Sequence, residues 1–149
     1  MATETERKFL VKDEFKHLAV GNKKIIQAYL SIDPGKTIRI RIADKDAFIT
    51  VKSRIRGKSI SRSEWEFQIP YSDAEEMMSL CLSGKIVKTR YLIPYRNHIW
   101  EVDVFHDKNE GLVIAEIELL SENEKFDKPD WLGEEVTGNP EYYNSNLIK

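Results

Sequence analysis

Like charges recur two residues apart along this chain. Glu4 and Glu6 precede Lys8. Arg39 is followed by Arg41, Lys52 by Arg54, Glu64 by Glu66, Lys88 by Arg90, Glu101 by Asp103 and Glu116 by Glu118. In an extended strand, residues i and i+2 share a face and lie about 6.6 Å apart. Clustered carboxylates suit a hard divalent cation with oxygen ligands, Mg²⁺ or Mn²⁺. Clustered Arg and Lys suit phosphate oxygens, which accept charge-assisted hydrogen bonds. Both sets facing one space describe a site for a metal–polyphosphate complex.

The positions between the charges are largely apolar: Phe9, Ile38, Ile40, Ile42, Phe48, Val51, Trp65, Phe67, Tyr91, Trp100, Val102, Val104, Ile117 and Leu119. A sheet with one wet face alternates in the same way. Its polar face usually mixes Thr, Ser, Gln and Lys, with the signs scattered. Here the sign is often uniform within a strand, and arginine is prominent. Two arrangements remain: a solvated charged face, or a barrel that packs its apolar face outward and turns its charges inward. Like-charge pairs on an enclosed face are tolerable only if the space is wet and takes ligands of both signs. Repetition over strand after strand favours the barrel.

The elements that must position these residues follow from the same period of two. Stretches 2–11, 24–32, 37–43, 46–56, 59–69, 86–94, 98–106 and 112–120 are rich in β-branched and aromatic residues. Turn formers separate them: Asp33-Pro34-Gly35, Ala43-Asp44-Lys45-Asp46, Arg56-Gly57-Lys58, Arg96-Asn97 and Asn109-Glu110-Gly111. Eight strands can close and abolish their edges. The pattern predicts a helix over Lys12–Ala19 and another over Ser72–Leu82, with Ser72 or Asp73 as N-cap and Gly84 as terminator. From Trp131 it predicts a short turn near Leu132–Val136 and a last helix starting at Asn139-Pro140 and including Tyr142–Leu147. The expected fold class is α+β, mainly β: one domain over 1–149, a closed eight-stranded antiparallel barrel with a few flanking helices.

The 149 residues suit one domain, with 41% hydrophobic and 32% charged residues. A formal charge of −2 gives no global pull toward nucleic acid. No apolar run approaches the roughly 18 residues of a membrane span, and nothing reads as a signal peptide. The single cysteine, Cys81, excludes an internal disulfide and points to a reducing compartment, so the expected location is cytoplasmic. His17, His98 and His106 lack metal-ligand spacing and read as surface or turn residues. Trp65 and Trp100 read as packing on the outer apolar face, and Trp131 as an anchor for the tail.

Several stretches together carry a family resemblance. They are Glu4-Thr5-Glu6-Arg7-Lys8, Gln27-Ala28-Tyr29-Leu30, Arg39-Ile40-Arg41, Thr50-Val51-Lys52, Glu64-Trp65-Glu66, Lys88-Thr89-Arg90-Tyr91, Trp100-Glu101-Val102-Asp103, Ala115-Glu116-Ile117-Glu118 and, in the tail, Glu135-Val136-Thr137-Gly138-Asn139-Pro140 and Tyr142-Tyr143-Asn144-Ser145-Asn146-Leu147. In this order and spacing the set resembles the CYTH superfamily, or triphosphate tunnel metalloenzymes, over essentially the whole chain. It looks most like the small bacterial branch. The resemblance implies a tunnel that hydrolyses a linear triphosphate, inorganic tripolyphosphate foremost, with Mg²⁺ or Mn²⁺. It implies Glu4, Glu6, Glu116 and Glu118 as metal ligands. Arg39, Arg41, Lys52, Arg54, Lys88 and Arg90 would cradle the phosphates, with Arg54 near the end of its strand. Lys8 and Tyr29 look like the family's catalytic pair. Glu64, Glu66, Glu101 and Asp103 match acidic tunnel positions that either bind metal or hold the basic residues in place. Ser145 and Asn146 either reach the tunnel or cap a helix.

The partner so implied is a small-molecule triphosphate, with neither nucleic acid nor a membrane, and a homodimer is a family expectation. Thiamine triphosphatase, nucleoside triphosphatase and class IV adenylyl cyclase remain alternatives within the resemblance. A non-catalytic polyphosphate-binding module would keep the basic set and lose the carboxylates or Lys8, all of which are present here. A nucleic-acid-binding barrel would need a basic outer face with exposed aromatics.

Overall fold

The computed structural model describes residues 1–33, 35–53 and 59–149, so Arg54 lies outside the described residues. Alternation of β-branched and polar residues yields nine strands. They are β1 (Ala2–Val11), β2 (Gly21–Asp33), β3 (Lys36–Ala43), β4 (Asp46–Ser53), β5 (Ser61–Ile69), β6 (Ile86–Tyr95), β7 (His98–Phe105), β8 (Val113–Glu118) and β9 (Leu132–Glu135). Helix α1 (Tyr71–Met78) follows β5. The strands pair antiparallel in the order β5-β4-β3-β2-β6-β7-β8-β1, and β1 closes the ring onto β5. That is the expected eight-stranded barrel. Strand β1 serves two neighbours along its length: residues 2–5 pair with β5, and 9 and 11 pair with β9 once β5 has ended.

Outward-facing side chains make two apolar layers. Phe9, Trp100, Val102, Ala115 and Ile117 are covered by Phe15 and by Trp131 and Leu132 of the tail. Trp100 meets Phe9 and Trp131 edge-on, with ring centres 5.5 and 5.8 Å apart. On the other side, Ala74 of α1 seats on Ile40, Ile42 and Ala47. Burying each large apolar side chain stabilises the barrel by about 1.5–3 kcal/mol. Trp65 of β5 is on the outer face as expected but remains 38% exposed. Phe48 departs from the expected outward set. It shares its face with Thr50 and Lys52, which point into the barrel.

A third apolar cluster lies inside the barrel. Tyr29, Ile86, Phe105 and Ile114 sit on the inward face of their strands, and Ile148 from the tail packs among them. This cluster closes one end of the lumen.

Four expected elements differ. Lys12–Ala19 is not an α-helix; it holds only a 3₁₀ turn at Lys16–Leu18. Phe15 is its single buried side chain, too little to fix so short a helix. Helix α1 starts earlier than Ser72 and ends before Leu82. Ala74 N donates to the Pro70 carbonyl, so neither Ser72 nor Asp73 is the N-cap. Gly84 does not end the helix. It lies at φ +97° in the later turn, where it lets the backbone pass under the Ile148 carbonyl. The tail's Leu132–Val136 turn is strand β9. Its last helix is two 3₁₀ turns, Pro140–Tyr142 and Asn144–Asn146. Side chains take the carbonyls that a helix would use: Lys8 Nζ donates to Tyr142 O, Asn146 Nδ2 to Pro140 O and Asn109 Nδ2 to Leu147 O. Among the described residues, no helix is long and apolar enough to cross a membrane.

Candidate active site in the barrel lumen

Most of the described residues among the charges paired by sequence converge on one cavity of about 570 Å³ inside the ring. Glu4, Glu6, Glu64, Glu66, Glu101, Glu116 and Glu118 line it with Lys8, Tyr29, Arg39, Arg41, Lys52 and Arg90. Strand register sets their neighbours directly. Glu6 stands opposite Glu118, Lys8 opposite Glu116, and Lys52 opposite Glu64. Lys88 and Asp103 share the inward face but not the cavity wall. Both are wholly buried deeper in the barrel, where Lys88 Nζ meets Asp103 Oδ2 at 2.7 Å, Asn144 Oδ1 at 3.3 Å and the Phe105 ring face at 5.4 Å.

Most lumen cations already hold a carboxylate. Lys52 Nζ reaches both Glu4 oxygens at 2.9 Å, and Arg62 lies 3.5 Å from Glu4. Arg39 donates to Thr50 Oγ1 at 3.2 Å, and Thr50 donates to Glu66 at 2.8 Å. Arg90 grips Asp103 with Nε and NH2 at 2.8 and 2.9 Å and reaches Glu101 at 3.3 Å. Of the acidic positions beyond the metal-ligand set, then, Glu66, Glu101 and Asp103 hold basic residues. Lys8 and Tyr29 both face the cavity, but among the described residues no hydrogen bond joins them. Lys8 instead donates to the Tyr142 carbonyl at 3.3 Å.

Carboxylate crowding perturbs protonation. Burial, then the neighbouring Glu116 and Glu4 charges, raise Glu6 to about 8. Glu116 experiences the same burial, but Lys8 and Arg90 outweigh it and hold it well below the usual carboxylate range. The two neighbouring carboxyls are therefore pushed in opposite directions, and positive charge beside them would favour ionisation of Glu6. Burial and Glu4 raise Glu64 to about 7. Burial, reinforced by Arg39 and Arg90, lowers Arg41 to about 9. Burial also pulls Lys88 down to about 7 against the attraction of Asp103.

These shifts set a pH dependence. An acid whose folded pKa exceeds its unfolded value binds more protons in the native state, so stability declines as pH rises between the two values. Glu6 and Glu64 cover the window from about 4.5 to 8. Lys88, lowered to about 7, acts in the opposite sense above that pH. Metal-free protein should therefore lose stability, on the order of 3 kcal/mol, between pH 5 and pH 8. Denaturant titrations across that range check it; constant or rising stability refutes it.

The donor set fits a hard cation. All the candidate ligands are carboxylate oxygens, and ionising Glu6 beside Glu116 calls for positive charge. Among the described residues no group of three acidic, His or Cys side chains is gathered to enclose a metal. Glu4 is drawn instead toward Lys52 and Arg62. Such a site suits a hard divalent cation that one or two carboxylates share with water and phosphate oxygens.

Residues beyond the sequence reading complete the wall. Arg62 lies on the inward face of β5 two positions before Glu64, a parity that the sequence did carry. Thr137, Gly138, Tyr143, Asn144 and Ser145 come from the tail. They have no periodic signal; of the two residues with the tunnel or a helix cap as alternatives, Ser145 lines the cavity and Asn146 instead donates to the Pro140 carbonyl.

Comparison with known proteins gives a consistent grouping. A family model described as "CYTH domain" matches residues 2–147. An inorganic triphosphatase of Acetivibrio thermocellus is 47% identical over 151 residues, covering 100% of this chain and 95% of that protein. An inorganic triphosphatase of Nitrosomonas europaea is 34% identical, covering 97% of this chain and 96% of that protein. The solved structure of the inorganic triphosphatase NE1496 superposes with a TM-score of 0.70 at 32% identity, over 97% of both chains.

Proposed function

The chain belongs to the CYTH domain family, and from that premise we propose that its barrel hydrolyses inorganic tripolyphosphate with Mg²⁺ or Mn²⁺. One observation carries the reading. Glu6 and Glu116 line the same cavity as Arg39, Arg41 and Arg90, with Arg90 3.8 Å from Glu116, so cation and anion sites share one space. Close relatives bearing the name inorganic triphosphatase support the same activity.

Hydrolysis adds water to a phosphorus atom and breaks one phosphoanhydride bond, and a shorter phosphate leaves with the electron pair. Arg39, Arg41, Arg90 and Lys52 donate to the non-bridging oxygens, where charge accumulates in the transition state. Their carboxylate partners hold the guanidinium and ammonium groups in place before substrate arrives. Glu6 and Glu116, with Glu4 and Glu118 alongside, would hold the cation. When bound, it supplies charge neutralisation at phosphate and polarises water. Lys8 and Tyr29, which both line the cavity, would move the proton, with Lys8 donating to the Tyr142 carbonyl before substrate arrives. Lys88, out of the cavity, acts on phosphate only through Asp103 and Arg90.

Orthophosphate release from tripolyphosphate, ATP and thiamine triphosphate, with cyclic AMP measured in parallel, tests the assignment. Tripolyphosphate should turn over fastest and only with divalent metal. Faster thiamine triphosphate or ATP hydrolysis, or cyclic AMP formation, would reassign the substrate. Inert tripolyphosphate with both metals would remove the reading. Binding should also raise the melting temperature: ligand at a thousand times its Kd adds about 4 kcal/mol, or roughly 10 °C for a domain this size.

A further inference from the structure

Arg41 differs from the other arginines of the lumen. Arg39, Arg62 and Arg90 each lie within ion-pair distance of a carboxylate. Among the described residues Arg41 has none. Its Nε donates to the side-chain oxygen of Gln27 at 2.8 Å, across the β2–β3 register in which the two residues face each other. Only the oxygen can accept from that N–H, so the amide orientation is fixed by the contact. Gln27 is wholly buried and does not reach the cavity, whereas Arg41 lines it. The Gln27 Nε2 group is left buried without a partner. An apolar side chain of the same length would spare the fold that cost, so packing does not explain a glutamine here.

We propose that Gln27 is a positioning residue for triphosphate binding, whose neutral amide aims the Arg41 guanidinium into the lumen without cancelling its charge. The inference rests on the tripolyphosphate reading above. With Nε anchored, the two terminal nitrogens of Arg41 point forward as a fork suited to phosphate oxygens. A carboxylate at position 27 would hold the same geometry but neutralise the cation before substrate arrives. The lumen thus combines acid-held arginines with one amide-held arginine, whose charge no ion pair within the described residues offsets. The lowered proton affinity of Arg41, caused by burial and by Arg39 and Arg90, agrees with a cation awaiting its counterion.

Two substitutions test this, read by steady-state kinetics with tripolyphosphate and by thermal shift with tripolyphosphate in the absence of metal. Gln27→Glu should melt at or above the native temperature without ligand. Its KM should rise about tenfold or more while kcat stays within about threefold, the signature of lost ground-state binding. Gln27→Met, which fills the space without an acceptor, should also raise KM. In an Arg41→Met background it should have no further effect, because its target is gone. Native KM in both variants overturns the proposal, as does an equal effect of Gln27→Met with and without Arg41. Failure of Gln27→Met to fold also overturns it, since the amide would then serve the fold. If the native protein binds tripolyphosphate but does not hydrolyse it, the functional reading fails while the thermal-shift arm still judges Gln27.

Discussion

Glu6→Gln should lower tripolyphosphate turnover by about 10²–10³-fold while leaving metal-free protein more stable at pH 7.5. Both effects come from one contact. In the native barrel, burial, Glu116 and Glu4 raise Glu6 to about 8, so its ionisation opposes folding. Glutamine keeps the size and hydrogen-bonding reach but carries no charge to repel Glu116. The same loss removes an anionic oxygen from the cation site, where Glu116 alone cannot provide equivalent neutralisation. The stability gain should fade as pH falls toward 5, because native Glu6 is then protonated in the folded and, increasingly, the unfolded state. Kinetics with Mg²⁺ and Mn²⁺, together with melting curves at pH 5 and 7.5, separate the two effects. A variant with near-native turnover would show that Glu6 does not hold the metal. A variant less stable than native at pH 7.5 would show that the Glu6–Glu116 contact is not repulsive.

Period two made the lumen legible because a strand has only two faces. Once Glu4, Glu6 and Lys8 occupy one face and Thr5, Arg7 and Phe9 the other, barrel closure decides which set is enclosed. Parity reports face, not depth. Lys88 and Arg90 alternate like Arg39 and Arg41, yet Lys88 lies below the cavity among Phe105 and Asn144. Phe105, Ile86 and Ile114 fill the barrel's closed end from its inward face, so apolar character did not always mean outward. The tail's place in the lumen was hidden for a different reason. Asn144 and Tyr143 reach the lumen through 3₁₀ turns whose hydrogen bonds go to Lys8, Lys88 and Asn109, partners distant in sequence. Strand β9, four residues of Leu132-Gly133-Glu134-Glu135, has too little alternation to be read. Gln27 was visible in a motif, but only the β2–β3 register connects it to Arg41.

Asp103→Asn should be the most destabilising change among the lumen charges, costing about 3–5 kcal/mol and lowering the melting temperature by roughly 10 °C. Asp103 is fully buried, and both its oxygens are engaged, Oδ1 by Arg90 and Oδ2 by Arg90 and Lys88. Burial alone would raise its pKa, but these two cations outweigh that and keep it ionised. Removing its charge strands two cations in the deepest polar layer of the barrel, since Glu101 and Glu116 reach Arg90 only at 3.3 and 3.8 Å. Lys88 has no other carboxylate among the described residues and would give up its proton. Arg90 cannot do so, and its guanidinium would swing toward Glu116 and weaken the cation site. Activity should therefore fall along with stability, through Arg90 and Glu116 together. Adding Lys88→Met to Asp103→Asn removes one stranded cation and should recover part of the lost melting temperature without restoring turnover. If Asp103→Asn melts within about 1 °C of native, the buried triad is not what holds Arg90, and a water-filled lumen must be screening its charge.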